Sequence, residues 1–382
     1  MPETIIHGET EPGFAPVREA FQSLFRDQGE VGSALCLVLD GRTVVDIWGG
    51  SADAARTRPW QRDTIVNVYS TTKGITAVAA AMLVDRGLLD VEAPVANYWP
   101  EFAAAGKERI PVKWLLSHEA GLPAVDASIP PGGALDWGTM IALLAAQKPA
   151  WEPGKAMGYH AITYGWLVGE VIRRVTGKTP GQFVRDEIAK PLGADFFIGL
   201  PEEEDARTAD IIPPAGQPAL GGGRAPDSLA ARALGIASPP AGAPVNSRAW
   251  RAAELPAANG HSDARALARI YGALARGGEI DGVRLLGQPA IDRFAAEAVS
   301  GRDCVLDMDV RRTLGFILST PGGRYHWGPN PRTFGHSGAG GSLGFADPGT
   351  RLGFGYVMNQ MSAGLSADPR WAPMIDAVYR CL

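Results

Sequence analysis

Cysteine is scarce in this 382-residue chain: Cys36, Cys304 and Cys381 are far apart and odd in number. That rules out a disulfide framework, and no two of them have the spacing of zinc ligands. Cys36 sits in the apolar run from Ala34 to Leu39 and reads as core. Long apolar runs are missing as well, so no segment is expected to cross a bilayer and no membrane partner is expected. The opening stretch MPETIIHGETEPGFAPVREAF has no basic cluster, apolar centre or small-residue cleavage site. It does not read as a secretory signal, and a reducing, cytoplasmic setting is the expectation. Excess charge of one sign is also absent: the net charge is -5 and the pI about 5.8. A nucleic-acid partner is therefore not expected. No glycine-rich loop follows a strand-like run, which leaves nucleotide binding unsupported and no cofactor implied.

What is present is the composition of a globular protein, 46% hydrophobic and 20% charged, long enough for more than one ordinary domain. Residues 14–26 space their apolar positions as a helix does. Two strand-like runs follow, 33–39 and 43–48, with Asp40-Gly41 between them as a hairpin signal. An alanine-rich helix is expected from about Ser70, with Gly87 as its stop. Further helices are expected over 112–118, 137–146, 164–176 and 262–276, separated by Pro/Gly loops. The stretch 211–243 reads as a long irregular surface loop. The tail changes character: 313–319, 333–335, 342–346 and 352–358 read as short strands, and 373–380 as a closing helix. This order predicts an α/β (α+β) fold, with an antiparallel sheet flanked by helices, built from both chain ends, and a helical domain inserted between them. The expected division is 1–78 with 295–382 for the sheet domain, and 79–294 for the insert.

Ser70-Thr71-Thr72-Lys73 is an S-x-x-K pattern, and it occurs once in the chain. Three residues apart on a helix, the two side chains share a face and come within hydrogen-bonding reach. A serine hydroxyl needs a base to become a nucleophile, and a lysine with a lowered pKa can serve. The start of a helix also offers free N–H groups to an oxyanion. Alone the motif is weak, since a chain of this length shows it by chance about one time in two. Its setting, an extended segment over 64–68 running into a helix, is the one the chemistry requires.

Val68-Tyr69-Ser70-Thr71-Thr72-Lys73-Gly74 resembles the nucleophile region of the penicillin-binding-protein and class C β-lactamase superfamily. Gly87-Leu88-Leu89-Asp90, Leu115 to Pro123, Pro153 to Ala161 and His336-Ser337-Gly338 agree with it and stand in the family's order. Within the superfamily the sequence is most similar to the family VIII carboxylesterases, which keep the β-lactamase fold but cleave esters. The resemblance implies an acyl-enzyme on Ser70, with Lys73 and Tyr159 as the proton-transfer pair. It implies an oxyanion hole from the N–H groups of Ser70 and Ala339, and substrate contacts from His336, Ser337 and Gly338. A phenol beside an ammonium is expected to ionise more easily. Two departures stand out. Ala161 replaces the family's asparagine, and His336 replaces the lysine of its third motif, so no permanent cation is expected to hold a β-lactam carboxylate.

Gly340-Gly341-Ser342-Leu343-Gly344 also matches G-x-S-x-G, but that elbow needs a strand before the serine and a helix after it. A glycine run precedes Ser342 and a strand-like run follows, so the match is read as a decoy. His118-Glu119 lacks a second histidine for H-E-x-x-H and is read as packing. Trp137, Tyr164, Trp166 and Trp327 are read as core before pocket. The expected function is hydrolysis of small-molecule carboxylic esters, with weak or no β-lactamase activity. An amidase, D-aminopeptidase or β-lactamase on the same fold, an acyltransferase and a non-catalytic scaffold remain as alternatives, and the oligomeric state is left open.

Overall fold

The computed structural model describes residues 4–214, 225, 227–363 and 367–382. Its centre is a nine-stranded antiparallel sheet made of β1 (Ile6–Thr10), β2 (Gly32–Leu39), β3 (Arg42–Gly50), β4 (Val299–Asp303), β5 (Met308–Arg312), β6 (Ile317–Leu318), β7 (Phe334–Ser337), β8 (Leu343–Asp347) and β9 (Leu352–Met358). The order across it is β1-β3-β2-β9-β8-β7-β6-β5-β4, so the two chain ends meet where β2 pairs with β9. The fold is the expected one: an antiparallel sheet from both ends of the chain, flanked by helices.

Local chemistry accounts for the well-read elements. Asp40 and Gly41 both take positive φ, +48° and +85°, and close the β2–β3 hairpin as expected. Helix α1 (Ala15–Asp27) buries Val17, Phe21 and Leu24 and packs with the C-terminal helix, α5 here, Trp371–Cys381. Between them in sequence lie α2 (Thr71–Asp85), α3 (Thr163–Thr176) and α4 (Ala264–Ala275). Along β9 the side chains alternate. Phe354 stacks on Phe345, and beyond it Phe345 stacks on Trp327, which meets Trp371 of α5 edge-on. The opposite face carries Gly353 and Gly355, where a Cβ would come within 2.3 Å of Ala268 O and 2.2 Å of Ala264 O. Glycine there lets α4 lie directly on the sheet. The result is three layers, α1 and α5 on one face and α4 with α2 on the other.

The structure differs from the sequence reading in several places. β1, β4 and β5 were not anticipated, because IHGET, VSGRD and MDVRR carry charged, partly exposed faces; β1 and β4 are the two edges of the sheet, and β5 lies just inside one of them. Of the expected strand 313–319 only Ile317–Leu318 is extended, since Thr313 to Phe316 form a turn with Gly315 at φ +96°. Ile65–Asn67 is extended as expected and belongs to a separate four-stranded sheet. The expected loop 211–243 contains a helix, Leu229–Gly235, whose N-cap Ser228 accepts from the amide of Ala231 at 3.2 Å. Residues 215–224 and 226 of that stretch lie outside the described residues. Helix α4 fell within the expected insert but packs on the sheet. We propose a two-part division in which α4 is counted with the sheet.

Candidate active site

Ser70 leaves the strand Ile65–Asn67 through a strained turn and stands at the start of α2. Tyr69 just before it takes φ +44°, a left-handed conformation that a non-glycine residue holds only under constraint. The amides of Thr71, Thr72 and Lys73 bond back to Val68, Tyr69 and Ser70, which winds the first turn. α2 is buried almost all round, and at Gly74 a Cβ would sit 2.1 Å from the Tyr271 hydroxyl oxygen. Small residues let this helix run through the core and fix the serine at its tip.

Lys73 is fully buried one turn on. Its Nζ lies 3.1 Å from Ser70 Oγ and donates to Ala161 O at 2.7 Å and Ala257 O at 2.8 Å. Among the described residues no carboxylate accepts from it. Burial, and secondarily the charge of Arg312, hold its pKa well below the ordinary lysine value. Burial thus biases the amine toward its neutral form. Tyr159 Oη donates to Ser70 Oγ at 2.8 Å, and Lys73 Nζ lies 4.8 Å from its ring centroid. Burial pushes the phenol of Tyr159 up from its ordinary value. The expectation that the neighbouring ammonium would ease ionisation is therefore corrected. Both groups leave water together, and desolvation favours the neutral amine and phenol over the ion pair.

The third side of the site is β7 and the turn after it. His336 and Ser337 are buried on that strand and line one small cavity with Ser70, Tyr159 and Ala339. The Nδ1 of His336 lies 2.7 Å from Ser337 O, and Nε2 has no partner among the described residues. Burial, then the charge of Lys73, depresses its pKa well below the usual value, so the ring is neutral. At Gly338 a Cβ would stand 2.2 Å from both Ser342 Oγ and Val68 O, and no side chain fits. The turn itself is anchored from the chain ends. Gly340 O accepts from Arg370, and Gly341 O accepts from Trp371 Nε1 at 2.8 Å. Arg370 is paired in turn with Glu30 at 3.0 Å and Asp368 at 2.6 Å, all three buried.

The decoys fall where sequence placed them. Ser342 is buried, its Oγ donating to Val68 O at 2.7 Å and lying 3.0 Å from Thr71 Oγ1. It ties β8 to the nucleophile turn, and a strand follows it where an elbow would need a helix. His118 is buried, and its Nδ1 accepts from the amide of His160 at 3.1 Å. Tyr164, Trp166 and Trp327 are core, Trp137 donates to Glu170 at 2.9 Å, and none of the four lines the cavity. Among the described residues no group of three or more His, Cys, Asp or Glu is placed to hold a metal.

The sequence reading missed several lining residues: Leu234, Leu306, Ile317, Tyr325 and above all Arg312. Arg312 places on the cavity lining a permanent cation that the reading of the third motif did not anticipate. It is 1% exposed, and its Nη2 donates at 2.9 Å to Asp303, which is itself 0% exposed. The only signal available was the charged pair of residues at the end of MDVRR, which looks like a solvated edge.

These features define a serine-centred site on a sheet-and-helix fold, and the chain belongs to the beta-lactamase family, whose model matches residues 17–378. The relatives are consistent in kind. The esterase/beta-lactamase LipL of Mycobacterium tuberculosis is 40% identical over 375 residues, covering 94% of this chain and 84% of its own. A crystal structure of a family VIII carboxylesterase superposes with TM-score 0.90 at 46% identity, covering 99% of this chain and all of the other. A penicillin-binding-protein homologue from Caulobacter crescentus does so with TM-score 0.92 at 42% identity, over 99% of this chain and 100% of that one. Among the described residues no helix is long and apolar enough to cross a membrane.

Proposed function

We propose that this chain is a serine hydrolase that cleaves small carboxylic esters through an acyl-enzyme on Ser70. The observation that carries the reading is that Ser70 Oγ lies between Lys73 Nζ and Tyr159 Oη, at 3.1 and 2.8 Å. Ser70 Oγ attacks the ester carbonyl carbon while its proton passes to the neutral amine of Lys73. The carbonyl oxygen becomes an oxyanion, received by the N–H groups of Ser70 and Ala339. On collapse, the departing alkoxide takes the proton of Tyr159 Oη, which Lys73 replaces. Water, deprotonated by the same pair, then attacks the acyl carbon and releases the acid. His336, Ser337 and Gly338 contribute the wall against which the ester lies.

The relatives' names support both esterase and β-lactamase readings, and the residues favour the first. Ala161 offers no side-chain amide, and His336 is a neutral ring. Losing hydrogen bonds to a charged group costs about 1.5–3 kcal/mol each, or roughly one to two powers of ten in rate apiece. The test is kcat/KM for p-nitrophenyl acetate or butyrate against nitrocefin and a penicillin on one preparation. The esters should exceed both β-lactams by at least about a hundredfold. A β-lactam value equal to or above the ester values would sink the assignment.

A further inference from the structure

Arg312 is expensive where it stands. A guanidinium carries five N–H donors, yet in this dry position one carboxylate bond is recorded and Nε has no partner among the described residues. Replacing buried ion pairs by apolar residues is often neutral or stabilising, so stability alone does not explain the pair. Its geometry centres on Tyr159. The Arg312 Cζ lies 5.0 Å from the centre of the Tyr159 ring. Asp303 holds the arginine through Oδ2 and, through Oδ1, accepts the amide of Tyr159 at 3.0 Å and those of Val305 and Leu306 at 2.9 Å. One carboxylate thus fixes both the backbone of the tyrosine and the cation on its ring.

We propose that Arg312, held by Asp303 against the face of Tyr159, is a positioning residue for the Ser70 reaction. It fixes the phenol over Ser70 Oγ and supplies the permanent positive charge beside the proton-transfer pair. This rests on the reading of Lys73 and Tyr159 given above. The other groups facing Tyr159 are Lys73 from α2, His118 at 5.2 Å and His336 at 6.4 Å between ring centres, with His160, Tyr164 and Tyr325 around them. Burial depresses all three histidines, His160 to about 4, so none of them supplies charge at neutral pH. Asp303 and Arg312 are the charged groups of this cluster. Arg312 disfavours a second positive charge on Lys73, which keeps the amine free to accept the serine proton. It also favours negative charge as it develops on the phenol oxygen.

The experiment compares wild type with two variants, following the pH dependence of kcat/KM on p-nitrophenyl acetate. Arg312→Met with Asp303→Asn removes both charges but keeps an acceptor for the three amides. Arg312→Lys keeps the charge and loses the planar face. The distances of both cations to the tyrosine ring put them no more than about 10 Å apart. At an effective dielectric near 20 such charges shift one another by about one pH unit. The double variant should therefore move the acid limb upward by about one unit and lower kcat at least about tenfold, with KM nearly unchanged. Arg312→Lys should leave the limb in place and still lower kcat. A folded double variant whose limb does not move overturns the proposal. If the double variant does not fold, Arg312→Lys decides: a limb that moves, or a kcat equal to wild type, overturns it. Fluorophosphonate labelling of each variant, read by mass spectrometry, separates this outcome from the parent reading. An adduct on a residue other than Ser70 refutes the reaction itself, whereas an adduct on Ser70 with an unmoved limb refutes only the role of Arg312.

Discussion

Two serines with motif credentials lie on either side of one turn, and substituting each by alanine should give opposite phenotypes. Ser70 is half-buried at the tip of α2, with Lys73 Nζ and Tyr159 Oη converging on its oxygen. Ser342 is buried, and its hydroxyl bonds to Val68 O and approaches Thr71 Oγ1 at 3.0 Å. Ser342→Ala removes two hydrogen bonds worth about 0.5–1.5 kcal/mol each, hence about 1–3 kcal/mol of stability. It should lower the urea midpoint while kcat on p-nitrophenyl butyrate stays within about tenfold of wild type, because nothing that reacts is lost. Ser70→Ala should leave the midpoint nearly where it is and reduce kcat by about 10^4 to 10^6, the residue left being catalysis by the oxyanion hole and binding. The assay is steady-state turnover on both variants with equilibrium unfolding in parallel. A folded Ser342→Ala protein without activity, beside an active Ser70→Ala protein, would refute the site.

Lys73→Met and Tyr159→Phe should each cost several powers of ten in kcat, and their combination little more, because they move one proton; additive losses in this cycle would count against a shared role. The same Lys73→Met protein tests the burial argument through stability. The folded-state pKa of Lys73 lies below its ordinary value of 10.5, so between the two the unfolded chain holds one more proton. Wild type should then gain stability as pH rises from neutral toward 10, and the variant should lack that part of the slope in urea titrations. Arg370→Met breaks a buried ionic cluster and should cost about 3–5 kcal/mol, seen as a lower thermal midpoint, with activity lost as the Ala339–Gly341 turn loosens.

Much of this fold could be read directly from residue order. The strand-like runs of β2 and β9, the Asp40-Gly41 turn and the apolar spacing of α1 each carry a local signal, and each formed as expected. The strands that escaped are those whose stability comes from a neighbour and not from their own composition. MDVRR becomes β5 because it pairs with β4, and its last arginine is buried because Asp303 across the hairpin receives it. No spacing rule announces such a partner in advance. The site divides in the same way. Ser70 and Lys73 are three apart on one helix, so local geometry brings them together. Tyr159 reaches Ser70 only through a long-range contact, and it was the order of several motif blocks that pointed to it. Leu234 was hidden because its helix sits in a Pro/Gly-rich stretch whose flanking residues dominate the pattern.

Burial ties these observations into one argument about substrate. Around Ser70 the fold has buried a lysine, three histidines and two tyrosines, and burial drives each toward its neutral form. Charge persists there as the Arg312–Asp303 pair, whose two members already answer each other. An incoming carboxylate would have to shed its hydration and then compete with Asp303 for the arginine, a cost that rises as the dielectric falls. A neutral ester carries no charge into the site at rest. In the proposed reaction it develops charge only on the carbonyl oxygen during attack, at the N–H groups of Ser70 and Ala339, which would direct binding energy to the transition state and not to the ground state. The missing lysine on β7 and the buried arginine on β5 therefore both support the proposed preference for neutral esters. The first removes a free cation from the substrate's path, and the second supplies a cation that the proteins' own aspartate keeps occupied.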